Sequence, residues 1–504
     1  MYTIHKTILL ITCLFILTQV GRSQNQSKNS ILTLQIPADQ TDTITTYLYP
    51  HKLGSSNKMA ITTKLIPRNG QVVWKLPSFD SIAYMDIKFA NNTFWSQYNY
   101  LVEPGDTISI LFQPNEAGKK EPDIQFAGTS IAKYAIKKSL DSLTIAIAQK
   151  GAPYPARWDT LYFDRFFPLA QQDDLNKLQQ KEAILEQWRL QLSKLAYDVM
   201  LADICYLEQK EPLVQMIFFE AYSNKYPDAA ERNKAIQQVF NQQMAADPWL
   251  KKVSHSGRNH SMYYMDYLIR KSLRAIKYND LGQRDARSYW EWFEKESPLQ
   301  LEKAIATLTA YYMIYGLQVT DMGTLLQESS SRITQPQYAK FISDAASKFG
   351  IGSPVFPFVL TDTKGKKVSI ASFKGKTVVI DFWDTGCLPC MQLAVGLKQV
   401  KKEWKEKDKI VFMSISKDKN RATWLTSVAS GKYTEPDNIN LYTEGKGTDH
   451  PLILHYGFTS SPRMLIIDPN GKLISTNPPR PVNPTDKKHF MQLLEQSTKS
   501  QITL

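Results

Sequence analysis

The fold of this chain is decided by one stretch, Thr377-Val-Val-Ile-Asp-Phe-Trp-Asp-Thr-Gly-Cys-Leu-Pro-Cys390. Its first seven residues form a nearly continuous apolar run, which is typical of a strand buried on both faces of a sheet. After the cysteines, apolar residues recur at steps of three and four, which predicts a helix with one buried side. These residues are Leu393, Leu397, Val400 and Trp404. A strand, a C-x-x-C turn and a helix therefore follow one another directly.

The sequence around this stretch continues to alternate between strands and helices. A second buried strand is predicted at residues 410–415, and hairpins are predicted at residues 358–370 and 464–475, each across a turn that contains glycine. A helix over residues 489–496 closes the chain. Because alternating strands and helices favour an α/β domain, we place such a domain at residues 350–504.

The two cysteines occupy positions suited to thiol chemistry. Cys387 falls at the N-terminus of the predicted helix, where free N–H groups and the helix dipole stabilise a thiolate. Cys390 lies one turn further on and faces Cys387, so the pair can close a disulfide. This order predicts that Cys387 attacks a partner disulfide and that Cys390 resolves the mixed disulfide. The redox-active Cys387–Cys390 disulfide is the active group that we expect, with no bound cofactor and no metal.

The sequence does not fit the other known uses of a C-x-x-C pair. A structural zinc site needs four ligands, and the sequence has no second Cys or Cys/His pair. Haem attachment needs His after the second cysteine, and that position is Met391. A structural disulfide this short would constrain little of the unfolded chain. Of the other two cysteines, Cys13 lies in the N-terminal leader, and Cys205 is expected to be a buried apolar side chain of a helix.

Together with this stretch, several motifs make the C-terminal third similar to the TlpA/ResA/DsbE family of thioredoxin-fold thiol-disulfide oxidoreductases. They are Gly352-Ser-Pro-Val-Phe-Pro-Phe-Val-Leu360, Phe373-Lys-Gly-Lys376, and Ser461-Pro462 with the hairpin that follows. The resemblance implies a thioredoxin fold and disulfide exchange with protein thiols. It also implies that Pro462 is a cis-proline that shapes the groove for a partner chain, and that Asp381 is a buried carboxyl behind the cysteine pair.

Asp381 is the one charged residue of its apolar strand. Burial disfavours the carboxylate and raises its pKa, so we expect Asp381 to accept the proton of Cys390 as that thiol attacks. The chain departs from the family at two places. Gly386 precedes the first cysteine, where the family usually has Trp, so a more open rim is expected. The family often has an acidic residue shortly after the second cysteine, and residues 391–393 supply none.

The N-terminus has the pattern of an export signal. Basic residues are followed by a short apolar run at residues 7–20 and by small residues around Ser23. This pattern predicts a signal peptide over residues 1–23 and a location in the periplasm or cell envelope. The apolar run is shorter than the ~20 residues that span a bilayer. An uncleaved signal is the alternative, and it is the one route to membrane association that we expect.

The charge of the chain does not indicate a nucleic-acid partner. The net charge is +13, from 61 Lys and Arg against 48 Asp and Glu, which by itself would favour an anionic partner. However, the lysines are dispersed. The densest run, residues 398–409, also contains glutamates and has the spacing of a solvated helix face. We therefore expect no nucleic-acid binding.

Two regions precede the α/β domain. Residues 24–128 contain short alternating runs separated by turn residues, which predicts a β-sandwich. More weakly, this region resembles the sandwich of envelope proteins that carry a C-terminal TlpA-like domain. Residues 129–349 have helical periodicity, and their aromatic clusters near Phe163, Tyr264 and Trp290 favour a buried helical core over a carbohydrate-stacking surface. The predicted fold class is multidomain, with a β-sandwich, an α-helical middle region and an α/β thioredoxin fold.

The sequence therefore predicts an exported thiol-disulfide oxidoreductase that acts as a reductase on protein thiols and disulfides of the envelope. The resemblance implies a membrane electron donor upstream and a role in cytochrome c biogenesis. Two alternatives stay open. A peroxiredoxin-like thiol peroxidase would need Thr or Ser three residues before its cysteine, where this chain has Asp384. A non-enzymatic envelope protein would bind a ligand or partner through its sandwich. Since every recognisable redox residue follows Gly350, exchange is expected to need neither upstream region.

Overall fold

The computed structural model describes residues 29–37, 42–89, 95–113, 123–150, 167–223, 229–244, 247–278, 285–317, 319 and 322–499. The predicted signal peptide, Cys13 and Phe163 lie outside these residues. The described residues form two compact units. The first lies within Met1–Pro50, Ala60–Ala146 and Gln187–Ala196, and the second within His51–Met59, Ile147–Glu186 and Tyr197–Leu504.

The first unit contains two four-stranded sheets, with strand orders β4-β1-β7-β8 and β3-β2-β5-β6. Their strands are β1 (Ile31–Gln35), β2 (Ile44–Tyr49), β3 (Ile61–Leu65), β4 (Gln71–Lys75), β5 (Ala83–Phe89), β6 (Trp95–Val102), β7 (Thr107–Gln113) and β8 (Asp123–Gly128). Side chains alternate between core and solvent, as in β4, where Val72 and Trp74 are buried between exposed neighbours. One apolar core, which includes Leu34, Met85 and Ile110, joins strands of both sheets.

Helices occupy the described residues between β8 and the next strand. They are α1 (Ile131–Lys150), α2 (Phe167–Gln187), α3 (Lys194–Ser223), α4 (Ala229–Val239), α5 (His255–His260), α6 (Met262–Tyr278), α7 (Ala286–Glu296), α8 (Leu301–Tyr315), α9 (Met322–Arg332) and α10 (Pro336–Phe349). The aromatic side chains of Tyr264, Tyr267, Tyr289, Trp290, Trp292 and Phe293 are buried. This confirms the prediction of a helical core for these clusters. Cys205 is also fully buried, as expected.

The C-terminal domain is built on a seven-stranded sheet with the order β10-β9-β13-β12-β11-β14-β15. Its strands are β9 (Val359–Asp362), β10 (Lys367–Ser369), β11 (Thr377–Trp383), β12 (Ile410–Ser416), β13 (Ile439–Tyr442), β14 (Arg463–Ile467) and β15 (Leu473–Ser475). Its helices are α11 (Leu388–Glu403), α12 (Arg421–Ala429), α13 (Pro451–Tyr456) and α14 (Pro484–Lys499). β11 pairs with β12 in parallel and with β14 antiparallel, so the strand that leads to the cysteines is central.

Two apolar clusters pack on the face of this sheet that carries Val379 and Trp383, because residues four positions apart on a strand share a face. In the first cluster, Val379 of β11 packs with Leu393 and Val400 of α11 and with Phe490 of α14. A second cluster joins Trp383 and Cys390 to four further side chains. These are Trp424, Val428, Tyr433 and Tyr442. The predicted fold class is confirmed. None of the helices in the described part of the chain is long and apolar enough to cross a bilayer.

Two sequence predictions were wrong in detail. The run 398–409 is not one helix face, because α11 ends at Glu403 and Trp404 turns into the core, where its indole N–H donates to the carbonyl of Glu406. The last helix is longer than predicted and starts at Pro484. The missed start signal is local, since Asn483 accepts a hydrogen bond from the backbone N–H of Asp486 and proline is favoured in the first turn.

Candidate redox site

The site begins where β11 ends and α11 starts. Cys387 is the N-cap residue of α11, and the backbone N–H of Cys390 donates to its sulfur at 3.2 Å. The two cysteines are joined in a disulfide with their Cα atoms 5.3 Å apart. Cys390 is only 2% exposed, whereas Cys387 is partly exposed and Leu388 beside it is exposed. A partner can therefore reach Cys387 but not Cys390.

Tyr433, which the sequence analysis did not single out, holds the turn before Cys387. Gly386 has φ +90°, a conformation that side chains rarely adopt, which accounts for glycine where the family usually has Trp. Its backbone N–H donates to the hydroxyl of Tyr433 at 2.8 Å. The Tyr433 ring stacks on Trp383, with 4.9 Å between the ring centroids. Tyr433 thus ties the C-x-x-C turn to the end of β11.

Asp381 takes part in a directed chain of hydrogen bonds. The indole nitrogen of Trp383 donates to the Ser414 hydroxyl at 2.9 Å, and that hydroxyl donates to the Asp381 carboxylate at 2.9 Å. Because an indole N–H can only donate, the Ser414 oxygen accepts the hydrogen bond from Trp383. The hydroxyl proton of Ser414 is therefore free to be donated to Asp381. Asp381 and Ser414 are also partners in the register of β11 and β12. Ser414 was missed in the sequence analysis.

The surroundings of Asp381 favour its protonated form. Burial raises the pKa of Asp381 from 3.8 to about 7, and the Ser414 hydrogen bond opposes part of this shift. The side chain still borders a cavity of about 10 Å³, close to the smallest volume that holds one water molecule. Ala394 and Leu397 of α11 line the same cavity, so the carboxyl lies beneath the helix that carries Cys390. Its protonation can change near neutral pH.

Pro462 follows a cis peptide bond from Ser461 and immediately precedes β14. Phe382 of β11 pairs with Arg463 of β14 in the sheet. Pro462 is the residue just before Arg463, so it lies beside the end of β11. The Ser461 hydroxyl donates to a carboxylate oxygen of Asp384, in the turn that leads to Cys387. The structure thus connects Pro462 and the cysteine pair through Ser461 and Asp384.

A buried lysine completes this part of the site. The Lys417 ammonium lies 3.3 Å from the Asp384 carboxylate and donates to the backbone carbonyls of Phe458 and Ser460, each at 3.2 Å. Burial lowers the pKa of Lys417, and Asp384 counteracts this effect. Within the residues that the structure describes, no group of three or more His, Cys, Asp or Glu side chains could hold a metal ion.

Comparisons with known proteins agree with this geometry. Residues 375–473 match the model of a family described as thioredoxin-like. The thiol-disulfide oxidoreductase ResA of Bacillus thuringiensis subsp. konkukian (strain 97-27) is 30% identical over 128 residues, which cover 25% of this chain and 69% of that protein. ResA of Bacillus subtilis (strain 168) is 27% identical over 124 residues, covering 24% of this chain and 64% of the relative.

Among solved structures, the thioredoxin domain of a thiol-disulfide oxidoreductase from Bacteroides vulgatus is 22% identical to this chain, with a TM-score of 0.25. The alignment covers 29% of this chain and 98% of that domain. The sheet, the disulfide and the sequence matches define the class as thioredoxin-fold redox proteins. The chain belongs, through its C-terminal third, to the family of the thiol-disulfide oxidoreductase ResA, and it is a thiol-disulfide oxidoreductase.

Proposed function

We propose that this chain is an exported reductase of protein disulfides in the cell envelope, and that Cys387, Cys390, Asp381 and Pro462 carry the reaction. The observation that carries the proposal is the asymmetry of the disulfide. Cys387 is accessible as the N-cap residue of α11, whereas Cys390, in the first turn of the same helix, is only 2% exposed. A helix N-terminus stabilises the thiolate that attack requires.

The reaction has two exchange steps. The Cys387 thiolate attacks one sulfur of the partner disulfide, a mixed disulfide forms, and the other partner sulfur leaves as a thiolate. Cys390 then passes its proton to Asp381 and attacks the sulfur of Cys387. The Cys387–Cys390 disulfide forms, the second partner thiolate leaves, and two electrons have passed to the partner. A dithiol donor, which we place in the membrane, must reduce the enzyme again.

We propose that Pro462 lines the groove that receives the partner chain. Its position beside the end of β11 and the hydrogen bond from Ser461 to Asp384 support this role. Cytochrome c biogenesis is the process that the resemblance implies, with apocytochrome disulfides among the clients.

The proposed export can be checked on the mature protein. When the full chain is expressed in a bacterial host with an envelope, N-terminal sequencing of the product should find cleavage after Ser23, because the preceding residues have the pattern of a signal peptide. The product should appear in the envelope fraction. An intact Met1 on protein recovered from the cytoplasm would contradict export.

Insulin reduction tests the proposed activity. With dithiothreitol as the donor, the wild-type chain should accelerate insulin precipitation well above dithiothreitol alone, because an accessible thiolate attacks disulfides quickly. Hydrogen peroxide consumption by the same preparation should not exceed that of dithiothreitol alone. Peroxide consumption without insulin reduction would establish a thiol peroxidase instead. Inactivity in both assays would favour a binding protein.

A further inference from the structure

The helical middle region meets the C-terminal domain at the end of α8, within the second compact unit. The last carbonyls of a helix have no partner inside the helix. Here the carbonyls of Tyr312 and Met313 both accept hydrogen bonds from the guanidinium of Arg463, at 2.9 and 2.5 Å. The next carbonyl, of Ile314, accepts from the hydroxyls of Thr459 and Ser460, at 3.3 and 3.1 Å.

Arg463 is fully buried, with 0% exposure, although it carries a charge. Its guanidinium lies over the ring of Phe458, 4.5 Å from the ring centroid. Burial lowers the pKa of Arg463 to about 10, so the side chain stays charged at neutral pH. A buried charge is costly unless it is compensated, and the negative end of the α8 dipole lies against it. Among the described residues, the atoms Nε and Nη1 have no hydrogen-bond partner, so the contacts with α8 carry the compensation.

The contact is also specific in shape. Gly316 follows α8 with φ +65°, and a Cβ atom there would lie 2.1 Å from Nη1 of Arg463. The helix end must therefore be a glycine for the guanidinium to approach. Asn477 adds hydrogen bonds to the carbonyls of Gly316 and Leu317, and the hydroxyl groups of Tyr312 and Thr476 lie 2.6 Å apart.

The segment that α8 holds is the one that faces the redox site. We name residues 458–463 the docking loop, because they include Pro462 and its neighbours. On one side, Thr459, Ser460 and Arg463 bind the end of α8. On the other side, the loop binds Lys417 through two carbonyls and Asp384 through Ser461. The loop is thus fixed between the helical region and the turn that carries Cys387.

We propose that Arg463 is a positioning residue through which helix α8 holds the docking loop in the conformation that receives a partner polypeptide. This inference rests on the proposed function. It makes the helical middle region part of the recognition apparatus of the redox site. Loss of the contact should displace the loop without changing the position of Cys387 at the N-terminus of α11. Reaction with a protein disulfide should then suffer, whereas reaction with a small disulfide should not.

The test compares full-length Arg463→Met, Arg463→Lys and Tyr312→Phe with the wild type. Met keeps the bulk of the side chain and removes the donors, whereas Lys keeps a charge that can reach the carbonyls. Tyr312→Phe is the matched control, because it removes a hydrogen bond at the same helix end but none to the docking loop. For each protein, rate constants are measured with insulin and with oxidised glutathione, and hydrogen–deuterium exchange is followed in peptides that contain residues 458–463.

For Arg463→Met we expect the insulin rate constant to fall about 10- to 100-fold, as small displacements of positioning groups do. The glutathione rate constant should stay within about twofold of wild type, and amide protection of the docking loop should fall. Arg463→Lys should restore most of both quantities, and Tyr312→Phe should resemble the wild type. Equal losses with both disulfides, or unchanged loop protection and insulin rate in Arg463→Met, would overturn the proposal. A wild-type chain that reacts with neither disulfide would instead refute the proposed function.

Discussion

Replacement of Cys387 by serine should abolish disulfide exchange, whereas replacement of Cys390 by serine should preserve the first step and trap its product. Cys387 is partly exposed at the start of α11, so it is the sulfur that a partner can reach. Without it, no mixed disulfide can form. Without Cys390, the mixed disulfide forms but has no internal thiol to resolve it.

The measurement is non-reducing electrophoresis after incubation with an oxidised protein substrate, combined with insulin turnover. Cys390→Ser should give a covalent adduct that dithiothreitol releases, and Cys387→Ser should give none. The same order should appear when the reduced wild type is alkylated at mildly acidic pH, with Cys387 labelled first. An adduct through Cys390 in Cys387→Ser would reverse the assignment of the two thiols.

Cys205→Ala provides the matched control for these variants. Cys205 is fully buried, and burial raises the pKa of its thiol to about 12, so it is protonated at neutral pH and cannot compete as a nucleophile. Its replacement should leave turnover and adduct formation unchanged. The comparison separates loss of the redox pair from the general effect of removing a cysteine.

Replacement of Asp381 by asparagine should slow resolution of the mixed disulfide by roughly 100-fold, the usual size of a general-base contribution. Asparagine keeps the shape and can still accept the hydrogen bond from Ser414. Because burial raises the pKa of Asp381 to about 7, the wild-type rate should rise as the pH approaches 7 from below. In Asp381→Asn this rise should disappear, leaving the titration of the thiols themselves.

The same substitution should stabilise the fold in a pH-dependent way. A carboxyl whose pKa rises from 3.8 in the unfolded chain to about 7 in the folded chain destabilises the fold increasingly between these pH values. Above pH 7 the penalty is constant at about 4 kcal/mol, because each of the roughly three pKa units between 3.8 and about 7 corresponds to about 1.4 kcal/mol. Urea unfolding should therefore show Asp381→Asn more stable than wild type at pH 8, with the difference disappearing near pH 4.

Asp408→Asn is the control for both effects, since Asp408 is an exposed aspartate just before β12. It should change neither the rate profile nor the stability. If resolution by Asp381→Asn matched the wild type from about pH 6 to 9, a range around the ordinary thiol pKa of ~8.5, another group would have to accept the proton.

The sequence was most informative where the pattern was local. The predicted strand 377–383 agrees with β11 residue for residue, because a strand buried on both faces leaves a continuous apolar run. Ser414 could have been found by the same logic. Asp381 is the fifth residue of β11 and Ser414 the fifth of β12, and the parallel register places them side by side. When two adjacent buried parallel strands each have a polar residue at the same position from the strand start, the two residues are expected to form a polar pair.

Tyr433 and Arg463 could not be recognised in this way. The Tyr433 hydroxyl accepts from a backbone N–H 47 positions away. Arg463 binds backbone carbonyls about 150 positions away, and any residue type supplies a carbonyl. Only the three-dimensional fold brings these groups together.

The Arg463 contacts also change how the middle region is understood. The sequence suggested that exchange would need nothing before Gly350, because every redox residue follows it. In the structure, a fragment that starts there would lack the acceptors that α8 provides to the buried guanidinium. Such a fragment would contain the cysteine pair but not the support of the docking loop.

In the proposed reaction, Cys387 and Cys390 together donate the two electrons that reduce a protein disulfide. The most direct test incubates the fully reduced chain with oxidised insulin in the absence of other thiols, alkylates the mixture, and determines the state of each cysteine by peptide mass spectrometry. One Cys387–Cys390 disulfide should form for each insulin disulfide reduced, with Cys205 still a thiol. Insulin reduction without formation of this disulfide, or no reduction at all, would rule out the proposed reaction.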